Sequence, residues 1–372
     1  MKSSTGQYYI GLDHIRALAA FMVFSWHFIH LEIPHTYTPA FVPFSLFNEG
    51  HTGVSLFMTL SGYLFAKLLD GKRISYIRFL WNRFLRLIPL LFFVVTIIGI
   101  HQYSIGVSPD LYCLQILKGV VLPILPNGGW SITVEFHFYL LLPLLLYLSR
   151  KSKYALALIV CCAILLRLLI YQEIGQIQLL AYWTIIGRID QFLLGMIGYQ
   201  IRIYIKGRHF LVLTGFALFS LYYWYFDRAG GYLHNPTYPS RYSFWVYFTT
   251  VEGLAYGLII SWYDNSFTHS RNRFSQFIAR IGTYSYSIYL LHQCFYEIHL
   301  IVFSRYIMPV TNIYIAFCYS LLGFLLMVPI GYLSFRLIES PFLKLRTRYL
   351  IDEPPEPAAG AETAEETQTL QA

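Results

Sequence analysis

Residues 10–31, IGLDHIRALAAFMVFSWHFIHL, decide which solvent this chain folds in. The run is long enough to cross a bilayer core of about 30 Å, which takes about 20 mostly apolar residues. A cleavable secretory leader has a shorter apolar stretch followed by a small-residue cleavage site. This segment instead carries Asp13, His14 and Arg16 and has no such site, so it reads as a retained membrane helix. Arg16 and His27 are eleven positions apart; at about 100° per residue they return to within about 20° of one face, and the helix rise separates them by about 16 Å. An ionisable side chain in lipid is costly unless it faces a cavity or a partner. One stripe of the first helix thus carries a guanidinium near one end and an imidazole near the other.

The composition agrees with a lipid solvent. The 372 residues are 56% hydrophobic, 19% aromatic and only 12% charged. An ordinary soluble domain carries about 25% charged residues, so this chain has too little polar surface to face water throughout. Five cysteines, at 113, 161, 162, 294 and 318, form neither a disulfide framework nor a paired zinc motif. Ten segments are apolar enough to span: 10–31, 53–69, 84–100, 132–148, 154–171, 180–201, 210–226, 244–262, 281–303 and 312–335. An eleventh run, 111–125, is short and broken by Pro123, which fits a re-entrant or interfacial helix. With the amino terminus inside, 19 of the 27 basic residues fall in or beside cytoplasmic segments, and the outer loops hold only Lys118, Arg228, Arg241 and Arg305. The expected fold is therefore an all-α, polytopic membrane bundle of about ten helices with both termini cytoplasmic. Residues 1–348 form the membrane domain, and residues 349–372 an acidic, disordered cytoplasmic tail. The basic balance reflects inner loops facing anionic lipid, not a nucleic-acid partner.

Polar residues inside spans are the functional candidates. Glu135 lies about one turn into the fourth span, which the topology places at nearly the depth of His27. A carboxylate there could orient an imidazole base or stabilise its charged form. His27 could equally be a packed histidine satisfied by a backbone carbonyl. Metal ligation by His30 with Glu32 or His35 finds no supporting motif, and no metal is expected. His137 falls about 200° around the helix from Glu135 and faces elsewhere. Arg188, Asp190, Glu252 and His292 are further buried polar residues, each equally suited to a structural ion pair or hydrogen bond. Arg83 and Arg86, at i,i+3 ahead of Pro89, share a helical face. Their guanidinium forks suit a phosphate or diphosphate, or else anchor the loop to anionic lipid. No Walker loop, GxGxxG element or GxSxG elbow is present.

Six stretches in order carry a resemblance: Arg16 with His27, GVSLFMTLSGYLF (53–65), RFLRLIP (83–89), WSITVEFHFYLLLP (130–143), SYSIYLLH (285–292) and ESP (339–341). Together they resemble the acyltransferase 3 family of integral membrane acyltransferases. The resemblance implies transfer of an acyl group, usually acetyl from cytoplasmic acetyl-CoA, to a hydroxyl of a sugar or other acceptor at a bacterial inner membrane. It makes Arg16 and His27 the essential pair of the first span, and Arg83 and Arg86 the family's RxxR pair. Family members often carry a second acid directly after the first in the fourth-span motif; here Phe136 follows Glu135. Many relatives append a soluble esterase-like domain; the expectation here is transfer completed within the membrane domain or handed to another protein. CoA phosphates would then sit on Arg83 and Arg86, with pantetheine passing Arg16 to reach His27. His27 would act as general base on the hydroxyl or accept the acyl group transiently, oriented by Glu135. The acceptor side is assigned to Trp130, Arg188 and Asp190, and a carbohydrate or lipid-linked sugar is the first choice of acceptor. The rival is a non-enzymatic glycan or lipid transporter with a charged cavity.

Overall fold

The computed structural model of the protein describes residues 8–351, so the tail from residue 352 onward and Lys2 lie outside the described residues. It is an all-α membrane protein. The longer helices are α1 (Ile10–Ile29), α2 (Thr52–Leu69), α3 (Tyr76–Ser104), α4 (Pro109–Val121), α5 (Trp130–Lys151), α6 (Ala155–Ile174), α7 (Ile185–Gln200), α8 (His209–Arg228), α9 (Phe248–Ser266), α10 (Arg273–Thr283), α11 (Ser285–Leu291), α12 (Tyr296–Tyr306) and α13 (Ile313–Ser334). Among the described residues six stretches are long and apolar enough to cross a membrane: α2, α3, α5, α6, α8 and the segment Ile313–Leu343 that begins with α13. Their outward faces expose Phe92, Ile100, Leu140, Leu158 and Leu218, an apolar surface that lipid covers and water does not.

Three segments read as continuous spans are broken, one of them, 244–262, at Tyr247 between a 3-10 turn (Ser243–Val246) and α9. Residues 180–201 divide at Thr184 between a short helix, Gln178–Trp183, and α7. Residues 281–303 divide into α10, α11, a tight turn at His292–Cys294 and α12. The run 111–125 forms α4, which stops at Val121; thirteen residues rise about 20 Å, short of the core thickness.

The centre is made by α1, α2, α7 and α9. Gly62 of α2 and Gly195 of α7 let two backbones touch: a Cβ on Gly62 would stand 1.9 Å from Phe192 O, and one on Gly195 2.0 Å from Thr59 O. Polar groups buried beside this crossing are paired. Arg167 on α6 holds Asp190 at 2.8 Å and also donates to the carbonyls of Val246 and Gly187. Glu252 on α9 accepts from Thr52, Ser55, Gln191 and Tyr223, with Arg188 3.8 Å away. Both partners of the Arg167–Asp190 pair are fully buried, so Arg167→Met leaves a carboxylate uncompensated. We expect a loss of about 3–5 kcal/mol, read as an earlier melting transition of the detergent-solubilised protein; an unchanged transition contradicts the pairing.

A two-residue ribbon closes the chain onto α3. Strand β1 (Arg73–Ile74) pairs antiparallel with β2 (Leu350–Ile351), and Ser75 N donates to Tyr349 O at 2.8 Å. Asn82 of α3 exchanges hydrogen bonds with the backbone of Thr347, donating at 2.6 Å and accepting at 3.0 Å. Residues 349–351, assigned to the tail on composition, therefore belong to the folded part.

Candidate active site

Two cavities lie along α1. The first, of about 100 Å³, is lined by Arg16, Ser61, Arg83, Arg86, Glu135 and Tyr286 among others. Arg83 and Arg86 both reach it, because three residues advance a helix by nearly one turn. Arg16 Nη1 donates to Asp13 Oδ1 at 2.5 Å. Arg83 is only 7% exposed, lies over the rings of Phe65 and Phe79, and its buried Nε has no hydrogen-bond partner. Arg346, carried on the segment that Asn82 ties down, has a guanidinium lowered to about 9 by burial and then by the neighbouring charges of Arg86 and Arg83. Glu135 accepts from Tyr139 and, at 3.4 Å, from Ser61. The arginines thus outnumber nearby carboxylates, and a site of this kind attracts a multiply charged anion.

The second cavity, of about 360 Å³, is lined by Trp26, His27, His51, Trp130, Trp183 and His292, with Tyr182, Tyr232 and Tyr289. Among the described residues lining it there is no Lys, Arg, Asp or Glu. His27 faces His292 with ring centroids 5.0 Å apart and stacks on Tyr296 at 6.1 Å with an 11° interplanar angle. Large aromatic faces and the imidazoles of His27, His51 and His292 suit a hydroxyl-bearing ring. Val54 and Tyr289 line both cavities, so they form the partition between them. The Tyr289 hydroxyl is fixed there by Ser131 at 2.8 Å and Gly128 O at 3.1 Å.

Arg16 and His27 sit on one helix as the spacing requires, one in each cavity. Glu135 stands with the arginines and not beside His27. Helix α5 begins at Trp130, already at the aromatic cavity, and five residues of rise carry Glu135 about 7.5 Å onward along the axis. Beside His27 the structure places His292, brought in by the turn at His292–Cys294. Its signal in the sequence was the end of SYSIYLLH. Trp130 lines the aromatic cavity. Arg188 and Asp190 line neither cavity. Arg188 lies behind the wall, 4.2 Å from the Tyr182 ring centroid, donating to Tyr182 O at 2.6 Å and Ser55 Oγ at 2.7 Å. Asp190 is held by Arg167, a partner not anticipated. His30, weighed above as a metal ligand, has both ring nitrogens within hydrogen-bond distance of carbonyls, of Ile33 and Asn48.

A family model described as an acyltransferase domain matches residues 9–332, which include every named lining residue of both cavities. No curated protein and no solved structure matches the chain. With most of its length matched, the protein belongs to the acyltransferase 3 family of membrane acyltransferases.

Proposed function

We propose that the protein moves an acyl group, acetyl first, from cytoplasmic acyl-CoA to a hydroxyl of a carbohydrate or lipid-linked sugar. In this reading about ten helical segments cross a bacterial inner membrane, both termini are cytoplasmic, and the arginine cavity faces the cytoplasm. The observation that carries it is the shared wall at Val54 and Tyr289, where a cationic cavity abuts an aromatic one lined by His27, His51 and His292. Arg83, Arg86 and Arg16 hold the phosphates of CoA, and Arg346 adds charge at the same end. Pantetheine then covers the about 16 Å between Arg16 and His27, bringing the thioester to the imidazole. His27 takes the hydroxyl proton or carries the acyl group between donor and acceptor. Trp130 and the neighbouring aromatic faces support a sugar ring as acceptor. Glu135 keeps a role toward the donor and orients the arginine end. Arg188 and Asp190 support the wall behind the acceptor.

The test is CoA release from acetyl-CoA by the purified protein in nanodiscs, with and without a panel of sugar acceptors. Stimulation by one acceptor supports the reading and narrows its chemistry; absence of CoA binding and turnover under every condition overturns it and favours transport. In the same assay Arg83→Ala or Arg86→Ala alone should raise KM for acetyl-CoA by about 10- to 100-fold, and the two combined by more than about 100-fold, since each hydrogen bond to a charged group is worth about 1.5–3 kcal/mol. An unchanged KM reduces the pair to topological anchors.

A further inference from the structure

His292 lies at the end of a motif with no role yet assigned, and its two ring nitrogens are in different situations. Nδ1 is 2.6 Å from Tyr289 O. A carbonyl only accepts, so in the neutral imidazole the proton must be on Nδ1 and Nε2 must carry the lone pair. That Nε2 is buried, has no hydrogen-bond partner, and belongs to a residue 2% exposed that lines the aromatic cavity. The backbone of the partition residue Tyr289 therefore sets the tautomer that presents a bare acceptor opposite His27. No hydrogen bond joins the two histidines, so neither ring is occupied by the other.

We infer that His292 is the proton acceptor for the attacking hydroxyl, which leaves His27 as the transient acyl carrier; this rests on the acyl-transfer reading above. In the first half, the free nitrogen of His27 bonds to the thioester carbonyl carbon and the carbon–sulfur bond breaks. The sulfur departs with the electron pair and takes the proton that the acylated imidazole sheds. In the second half, the acceptor hydroxyl gives its proton to His292 Nε2 while its oxygen bonds to the acyl carbon. The carbon–nitrogen bond breaks, and the proton on His292 returns to His27. Both histidines end as they began, and no further reactant is needed. A ring separation of 5.0 Å leaves the acyl group on one ring within hydrogen-bond range of a hydroxyl held by the other.

The experiment uses the full chain in nanodiscs, radiolabelled acetyl-CoA, and the sugar acceptor that gives the wild type its largest rate. His292→Asn retains a donor for Tyr289 O but cannot take a proton. It should release about one equivalent of CoA, keep acetyl on the protein in a hydroxylamine-labile form, and lose at least ~100-fold in steady-state rate. Its apparent affinity for acetyl-CoA should stay within about twofold, and added imidazole should restore part of the rate to His292→Ala. Wild-type turnover by His292→Asn overturns the assignment, as does loss of turnover with no CoA burst in a variant that still binds acetyl-CoA. If the wild type itself neither binds nor cleaves acetyl-CoA, the acyl-transfer reading fails instead, and the two failures are told apart by that control.

Discussion

His27→Ala is expected to abolish acyl transfer, by at least ~10³-fold in kcat, while the protein still inserts and still binds acetyl-CoA. An acid–base role alone is worth about 10²–10⁴-fold. A carrier role is worth more, because its loss removes a covalent route and leaves only direct attack on the thioester. Affinity for CoA should hardly change, since the arginines that would grip its phosphates line a different cavity from the imidazole. Folding should hold too: His27 is partly exposed to its cavity, and its ring contacts are with Trp26, His292 and Tyr296. The measurement is single-turnover CoA release beside an equilibrium binding assay. Retention of more than a tenth of the rate would remove His27 from the mechanism.

Gly195→Val should have the largest effect on the fold itself. A Cβ at position 195 would lie 2.0 Å from Thr59 O and 2.8 Å from Tyr63 N, both backbone atoms that cannot rotate aside. The helices α2 and α7 must then separate along their crossing. The loss extends beyond one contact, because α2 also supplies Val54 to the partition and Ser61 to the arginine cavity. We expect destabilisation above about 4 kcal/mol, seen as failure to recover monodisperse protein from detergent. Gly215 on α8 is the control, since nothing stands within 4 Å of a Cβ there. Gly215→Ala should be neutral or stabilising by up to about 1 kcal/mol. Equal yields from the two variants would refute the close crossing.

What could be read from the chain follows from which interactions are local. Helical class and lipid solvent depend on run length and composition, and both were legible. The pairing of Arg83 with Arg86, and the alignment of Arg16 with His27, need only the geometry of a single helix. Glu135 and His292 depend on how separate helices stand in depth, and there the chain misleads. Residues 281–303 contain no proline, and their polar residues are scattered along the run, so no helix breaker marks the turn that swings His292 toward His27. The break at Thr184 is equally silent. In the sequence Arg167 is a lone cation inside the span 154–171. Its partner Asp190 is 23 residues away on another helix, and only packing reveals that the pair neutralises itself.

The wall formed by Val54 and Tyr289 has a kinetic consequence. If the phosphates of the donor and the ring of the acceptor occupy different chambers, the two meet only at His27 and neither takes the other's seat. Free CoA should then inhibit competitively against acetyl-CoA but not against the sugar, and excess sugar should not slow the reaction by occupying the donor's place. A carrier enzyme with one shared chamber gives the reverse pattern, with the released product competing against the second reactant. The inhibition plots would thus count the chambers in solution, with no variant required.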